Sequence, residues 1–254
     1  MKITTPTVNA PSWVELGTSD PEAARVFYHE LFGWRVETDT RPEIDGYSLL
    51  WLGDAPVAAI TAIASPKQST AWLVCFAVSD AEATAAAVAD AGGTVLRAPT
   101  DVSDEGRFAV LGDPSGAVFT IWQAKSFKGA GVLNEPGSLG WVELATRDTE
   151  GAKEFYSRVF GWSVTIGEMY TQWGLDGRDF GGMLDMGDQF PAEVAPYWMP
   201  YFAVADVDST AERAAALGAT VMLPPTDVPE GPRLAVLHDA QGARFGIHIA
   251  GTEG

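Results

Sequence analysis

The sequence is poor in cysteine and in positive charge, and each shortage excludes a class of function. Cys75 is the single cysteine, so the chain has no internal disulfide and no CxxC pair for zinc or redox chemistry. Lysine and arginine number 16 against 34 aspartates and glutamates, which gives a formal net charge of -18. Because a phosphate backbone is also negative, we do not expect nucleic acid to be a partner.

Long apolar runs are lacking as well. No uncharged stretch approaches the roughly 18 residues that a membrane-spanning helix needs, and the first residues contain no apolar segment typical of a signal peptide. The sequence therefore predicts a cytoplasmic protein without a membrane partner. Hydrophobic residues still make up 46% of the chain, which is enough to build the cores of two medium domains.

The chain does contain an internal duplication. Residues 13–34 read WVELGTSDPEAARVFYHELFGW and recur without a gap at 141–162 as WVELATRDTEGAKEFYSRVFGW. A second stretch that begins at Phe76 recurs from Phe202. Repeats of this length indicate two homologous halves.

The duplication divides the chain into three parts. We predict a first domain over residues 1–124 and a second domain over residues 139–254. Residues 125–138 are rich in glycine, with proline, asparagine and serine, and this composition is typical of a connector.

Each half contains a simpler pattern twice. An apolar stretch ends at Asp20, a helix-permissive run follows, and Gly33 ends the run; Asp80 and Gly92 repeat this order. Aspartate suits a helix N-cap because its carboxylate accepts the free N–H groups of the first turn, and glycine suits the position after the helix. Short β-type segments follow each run. The sequence predicts four units, each made of a strand, a helix and three strands.

These motifs, an apolar strand ending in Asp, a helix with Phe-Tyr, Phe-Gly-Trp and a later Asp-Pro-x-Gly, resemble the vicinal oxygen chelate family. That family includes glyoxalases, extradiol dioxygenases and bleomycin-binding resistance proteins. The resemblance implies an α+β fold of four βαβββ modules, paired into two glyoxalase-like domains with pseudo-twofold symmetry. It also implies a concave pocket in each domain that normally holds a divalent metal, and a monomer whose two halves associate as an internal pseudo-dimer.

The positions that hold the metal in the family offer no imidazole, thiolate or carboxylate here. They fall on Trp13, Val74, Thr120, Trp141, Pro200 and Gly246. Metal sites of this kind need three converging ligands of those chemical types. We therefore expect no bound metal and no cofactor.

Alternation along the strands predicts which side chains share the pocket face with those positions. The predicted inward set of the first half is Trp13, Glu15, Trp72, Val74, Thr120 and Trp122. That of the second half is Trp141, Glu143, Trp198, Pro200, Gly246 and His248. Because aromatic walls suit flat ligands, we predict ligand-binding roles for Trp13, Trp72, Trp122, Trp141, Trp198 and His248.

Glu15 and Glu143 are the candidate catalytic residues. An inward carboxylate among tryptophans would have a raised pKa and could act as a base. Two alternatives stay open at this point: Trp13 and Trp141 fill a pocket that has closed, or a glutamate pairs with a buried arginine such as Arg107 or Arg233.

Two classes of function follow. The first is a metal-independent binder of a planar or aromatic small molecule, for antibiotic sequestration or as an accessory protein of secondary metabolism. The second is an enzyme: a metal-free isomerase, cyclase or hydroxylase-associated protein that uses Glu15 or Glu143 as base, or a metal-dependent lyase or dioxygenase whose ligands lie elsewhere.

Overall fold

The structure is a computed structural model that describes residues 2–39, 46–65, 68–167, 170–188, 190–229 and 231–250. The first half contains the helices α1 (Pro21–Phe32) and α2 (Ala81–Asp90) and the strands β1 (Pro11–Thr18), β2 (Arg35–Thr38), β3 (Ser48–Leu52), β4 (Ala55–Ala62), β5 (Ala71–Ala77), β6 (Thr94–Val102), β7 (Gly106–Gly112) and β8 (Val118–Ala124). The second half contains the helices α3 (Thr149–Phe160) and α4 (Val207–Ala216) and the strands β9 (Leu139–Thr146), β10 (Ser163–Ile166), β11 (Thr171–Leu175), β12 (Arg178–Asp185), β13 (Tyr197–Val204), β14 (Thr220–Asp227), β15 (Arg233–His238) and β16 (Arg244–Ile249).

The strands of each half form one eight-stranded sheet. The first sheet has the order β2-β3-β4-β1-β5-β8-β7-β6, and the second repeats it as β10-β11-β12-β9-β13-β16-β15-β14. In each sheet two βαβββ modules meet at an antiparallel pair, β1 with β5 and β9 with β13. The predicted fold class, with four modules paired into two domains, is confirmed.

The helices begin and end where the sequence predicts. Asp20 Oδ1 accepts a hydrogen bond from the Ala23 N–H at 3.0 Å, and Asp80 does the same for Ala83. Gly33 follows α1 with a φ of +72°, a left-handed conformation that glycine adopts without strain. Among the described residues, no helix is both long and apolar enough to cross a membrane.

One face of each sheet packs against the helices, and these two faces share a core. A single cluster of buried apolar side chains extends through both halves. Aromatic rings cross the boundary: Phe76 lies 5.0 Å from Trp162, and Trp72 lies 5.2 Å from Phe202, measured between ring centroids. Because both domains contribute to the same core, the burial of apolar surface holds them together.

Two buried hydrogen-bond chains also join the halves. The Trp72 indole donates to the Tyr28 hydroxyl at 2.9 Å, and that hydroxyl donates to Asp239 Oδ2 of the other domain at 3.0 Å. The same three groups recur with the halves exchanged, as Trp198, Tyr156 and Asp113. This reciprocity is the pseudo-twofold symmetry that the resemblance implies.

The first part of the segment between the domains is bound to the first domain. The N–H of Phe127 donates to the carbonyl of Glu105 at 3.1 Å, and the N–H of Ala130 donates to Ser12 at 2.8 Å. Gly129 has a φ of +91°, and a Cβ there would lie 2.7 Å from the Ser12 carbonyl oxygen. Near its end, the N–H of Gly137 donates to the carbonyl of Ala203 in the second domain at 2.8 Å. The linker therefore packs against both domains and is not a free tether.

Candidate functional site

The face of each sheet that points away from the helices carries the candidate site. In β1, Val14 and Leu16 enter the shared core, so Trp13 and Glu15 point to the opposite face. Trp13 lies beside Cys75 in the register of β1 and β5. We call this face the first concave face and its counterpart in the second domain, which carries Trp141 and Glu143, the second concave face.

The predicted orientation of Trp72 and Val74 is wrong. They pair with Leu16 and Val14 across the sheet and therefore share the helix-covered face with them. Trp72 is only 3% exposed and donates its indole N–H to Tyr28. The sequence-based alignment was one residue out of register in β5, which exchanges the two faces of a strand.

The same correction applies to Trp198 and Pro200 in β13. They pair with Leu144 and Val142, which are core residues, and the Trp198 indole donates to Tyr156 in the interior. Met199 and Tyr201, the residues that alternate with them along β13, face the concave side instead. Neither was predicted from the sequence. Trp72 and Trp198 are therefore structural residues of the interdomain core.

Glu15 lies on the first concave face with a tyrosine as hydrogen-bond donor. The Tyr47 hydroxyl donates to Glu15 Oε2 at 3.0 Å. Burial raises the pKa of Glu15 above its ordinary value, although the Tyr47 hydrogen bond opposes the shift. Burial also raises the pKa of the neighbouring Cys75 thiol to about 12, so it is protonated at neutral pH.

The alternative in which Glu15 or Glu143 pairs with a buried arginine is wrong for Arg107 and Arg233. Arg107 forms ion pairs with Glu82 and Asp101. Arg233 pairs with the acidic side chains of Asp208 and Asp227.

The linker covers the first concave face. The Phe127 ring meets the Trp13 ring edge to face at 5.1 Å, and the Trp122 indole donates to the Phe127 carbonyl at 2.9 Å. The Trp122 ring lies against Gly106, where a Cβ would overlap it. Trp13 is 6% exposed as a result, so the chain's own residues cover this tryptophan.

On the second concave face, Glu143 is held by two tyrosines. The Tyr170 hydroxyl donates to Glu143 Oε2 at 2.9 Å, and the Tyr201 hydroxyl donates to Oε1 at 3.2 Å. The Trp141 indole donates to the Tyr170 hydroxyl at 3.1 Å. Burial raises the pKa of Glu143, and the hydrogen bonds from the tyrosines act against that shift.

Sequence reasoning missed these tyrosines, although one signal was available. Tyr47 directly precedes β3 and Tyr170 directly precedes β11, so the two tyrosines occupy matching positions in the two halves. Trp13 is the counterpart of Trp141 in the first half. Its Nε1 atom faces the Tyr47 hydroxyl, but without normal hydrogen-bond geometry.

His248 lies on the second concave face, as predicted. Its Nε2 atom is buried and has no hydrogen-bond partner in the part of the chain that the structure describes. The ring lies against Gly140, where a Cβ would overlap Nε2, and 6.5 Å from the Tyr201 ring. Burial lowers the pKa of His248, which favours the neutral imidazole.

These faces do not fit the divalent metal that the fold family implies. In the first domain the strand register aligns Trp13, Cys75 and Thr120, and in the second it aligns their counterparts Trp141, Tyr201 and Gly246. Indole, a protonated thiol and a hydroxyl do not form a metal-ligand set. Across the described ranges, no group of three or more His, Cys, Asp or Glu side chains could hold a metal ion.

A cavity of about 460 Å³ adjoins the second concave face. It lies between the N-terminal segment, the linker and the hairpin of β11 and β12, and its walls include Thr7, Leu133 and Arg178. Trp141 is the predicted site residue that lines it. The structure thus brings Trp141, Glu143 and His248 to one side of the second domain, and it places Trp13 and Trp122 under the linker with Glu15 beside Tyr47.

Comparisons with known proteins agree with this architecture. The family model described as Glyoxalase/Bleomycin resistance protein/Dioxygenase superfamily matches residues 10–121 and 138–247. CFP32 of Mycobacterium tuberculosis (strain CDC 1551 / Oshkosh), provisionally named as a glyoxylase, is 37% identical over 246 residues, with 93% of each chain covered. The anthracycline biosynthesis protein DauV of Streptomyces sp. (strain C5) is 36% identical over 256 residues, covering 94% of this chain and 92% of DauV.

Solved structures show the same fold at low sequence identity. The 2,3-dioxygenase LapB from Pseudomonas sp. KL28 superposes with a TM-score of 0.71 at 15% identity, covering 99% of this chain and 95% of LapB. The Mn(II)-bound glyoxalase from Novosphingobium aromaticivorans gives 0.68 at 17% identity, covering 96% of this chain and 82% of that one.

Proposed function

We propose that this chain, which belongs to the glyoxalase/bleomycin resistance protein/dioxygenase superfamily, is a metal-independent binding protein. Its ligand is a planar aromatic small molecule of secondary metabolism. The observation that carries this proposal is the position of Trp141, which lines the cavity while its indole N–H is bonded to Tyr170. A tryptophan held in one orientation loses little entropy on binding and offers a flat surface for stacking.

The cavity has the size and lining that such a ligand requires. Small-molecule sites range from roughly 300 to 1,000 Å³ and combine apolar walls with a few polar groups. Here Phe180 and Leu133 supply apolar surface, and Asn134, Arg178 and Asp179 supply polar groups. The net charge of -18 favours a ligand with a cationic substituent through long-range attraction.

The names of two relatives support the ligand class. DauV and DnrV, which are 36% and 35% identical to this chain, are both named anthracycline biosynthesis proteins. Anthracyclines are planar polycyclic aromatic compounds, and they would stack on an indole. The lack of a fitting donor set on either concave face supports metal independence.

Titration with daunorubicin, an anthracycline whose own fluorescence reports binding, tests the proposal. Trp141→Leu should weaken binding about tenfold, since an aromatic pair is worth about 0.5–1.5 kcal/mol beyond area burial. Trp13→Leu, the matched change under the linker, should leave the affinity unchanged. An affinity that is equal in both variants, or no binding by the wild type, contradicts the proposed role of Trp141.

Metal independence is tested on the same complex. After exhaustive dialysis against EDTA, we expect the affinity for daunorubicin to be unchanged and metal analysis of the untreated protein to show no stoichiometric zinc, iron or manganese. Loss of binding after dialysis that is restored by one of these ions would overturn this part of the proposal.

A metal-free enzyme is the second candidate, and the raised pKa of Glu143 is the observation that favours it. A carboxyl group whose pKa lies closer to neutrality can exchange a proton with a bound compound. Compounds recovered from the complex should be analysed for conversion by mass spectrometry. A Glu143→Gln variant that binds normally but stops conversion establishes the enzyme, whereas recovery of unchanged compound from the wild type supports the binding protein.

A further inference from the structure

A half-buried arginine on the second concave face has no acidic partner. Arg244 begins β16 and lies on this face because its neighbour Phe245 is a core residue. The guanidinium carbon of Arg244 lies 4.1 Å from the centre of the Tyr197 ring, and its Nε–H donates to His238 Nε2 at 3.0 Å. In a chain with 34 aspartates and glutamates, none of the described carboxylates forms an ion pair with it.

The two contacts hold the guanidinium group of Arg244 in one orientation. Stacking on Tyr197 fixes its plane, and the hydrogen bond to His238 fixes its rotation within that plane. Burial and the charge of Arg244 lower the pKa of His238, so the imidazole stays neutral and can accept this bond. Within the described ranges, no carbonyl or carboxylate oxygen accepts from the two terminal nitrogens. A guanidinium held in this way suits a planar carboxylate, which it binds through two parallel hydrogen bonds.

The first concave face has none of these three groups at its matching positions. β16 pairs with β13 and β15 in the same registers in which β8 pairs with β5 and β7. These registers match Arg244 with Val118, His238 with Gly112 and Tyr197 with Ala71. The duplication of the sequence therefore does not account for the three groups, which belong to the second face alone.

Apolar surface adjoins the guanidinium group. Leu234 and Val236 in β15 lie on the concave side, because they alternate with the core residues Ala235 and Leu237, and both are half-buried. Val236 precedes His238 by two residues and therefore shares its face. An apolar group attached to a carboxylate would leave water by packing there. None of these residues lines the 460 Å³ cavity.

We propose that Arg244, held by Tyr197 and His238, is the centre of a second binding site, which takes a small carboxylic acid with an apolar body. The two terminal nitrogens of Arg244 donate to the two carboxylate oxygens, and the apolar body lies over Val236. Because the net charge of -18 repels anions at long range, the affinity comes from these contacts. The site goes beyond the proposed function, since it shares no residue with the cavity.

Nuclear magnetic resonance on the wild-type protein tests the site with its side chains intact. Benzoate serves as the probe, and carbon–nitrogen correlation spectra of the arginine side chains report which guanidinium it meets. We expect the Arg244 signal to shift with a single-site saturation curve. Arg97 is the internal control, because it also stacks on an aromatic ring, that of Phe108 at 4.5 Å, but is exposed. A shift at Arg97 of equal size, or a shift at no arginine, overturns the inference.

A matched pair of probes separates recognition of the carboxylate from a structural role of Arg244. Benzamide has the ring and nearly the shape of benzoate without its charge. Arg244→Gln should weaken benzoate binding about ten- to a hundredfold, through the loss of charge-assisted hydrogen bonds, and leave benzamide binding unchanged. Arg97→Gln should change neither. Equal weakening of both probes by Arg244→Gln shows a merely structural role and overturns the assignment.

Competition with inorganic phosphate tests the ligand class. Phosphate has no apolar body, so it should displace benzoate only at a concentration at least tenfold higher than that of benzoate. Displacement at equal concentration shows a site for any small anion and overturns the carboxylic acid assignment. Arg244→Gln should leave daunorubicin binding unchanged, so the failure of either proposal leaves the other standing.

Discussion

Glu143 is a carboxyl group in apolar surroundings whose two oxygens accept hydrogen bonds from Tyr170 and Tyr201. The residue is only 8% exposed. Desolvation disfavours the charged form, and this explains the raised pKa. Such a group makes the stability of the protein depend on pH.

The sign of that dependence follows from proton linkage. A carboxyl group with a raised pKa keeps its proton to higher pH in the folded state than in the unfolded state. Its contribution to stability is therefore complete below the ordinary value of 4.5 and is lost as the pH rises through the raised folded value.

The difference in the free energy of unfolding between Glu143→Gln and the wild type, here called the gap, should therefore become smaller as the pH rises. At pH 4.5 the variant should be about 1 kcal/mol less stable, because an amide cannot accept both tyrosine hydrogen bonds. Between pH 4.5 and about pH 8 the gap should shrink as the pH rises toward the raised pKa of Glu143. Urea denaturation across this range measures the gap, with the exposed Glu150→Gln as control. A gap that is constant with pH contradicts the prediction.

At the scale of elements, the structure of the linker differs from what its composition predicts. Its glycines are typical of a flexible connector, yet Gly129 uses its freedom to lie against β1. The φ of +91° and the absent Cβ are both needed there, because the Ser12 carbonyl occupies the space a side chain would take.

Gly129→Ala should destabilise the protein more than a glycine substitution at a similar φ in open space. Gly116 has a φ of +96°, and a Cβ added there would meet no atom within 4 Å, so Gly116→Ala reports the backbone strain alone, about 1 kcal/mol. Gly129→Ala should cost about 1–3 kcal/mol beyond that, the range for overpacking. Thermal unfolding measures both, and equal losses would show that the linker can move away from β1.

At the scale of the whole molecule, the two domains share one core and two buried hydrogen-bond chains. Asp113 and Asp239 each cap a turn in their own domain and also accept from a tyrosine of the other domain. Because each tyrosine hydroxyl also accepts from a tryptophan, its removal leaves two buried polar groups without that partner.

The chain should therefore unfold in one cooperative transition, and Tyr28→Phe should lower the free energy of unfolding by about 1–3 kcal/mol without splitting that transition. Tyr156→Phe, the same change with the halves exchanged, should have an equal effect. Calorimetry of both variants measures this. Two separate transitions would show that the domains unfold independently and that the shared core does not couple them.

Much of this architecture was determined by the sequence alone, because its signals are local. The gapless repeat of residues 13–34, the aspartate caps and the glycine stops depend on contacts within a few residues, and they predicted four βαβββ modules correctly. The chemical identity of the side chains likewise led to the expectation of no metal ligands there, since the indole nitrogen has no free lone pair with which to coordinate a metal ion. His248 and Trp141 were placed correctly because they follow from alternation within one strand.

Only the tertiary structure decided which face of β5 and β13 meets the concave side. Cross-strand register depends on partners distant in sequence, and a shift of one residue moved Trp72 and Trp198 into the core. The path of the linker over Trp13 arises in the same way, from backbone hydrogen bonds between segments that no local pattern relates. The sequence is duplicated, but Trp13 lies against Phe127 of the linker whereas Trp141 lines a cavity, because different segments pack beside the two tryptophans.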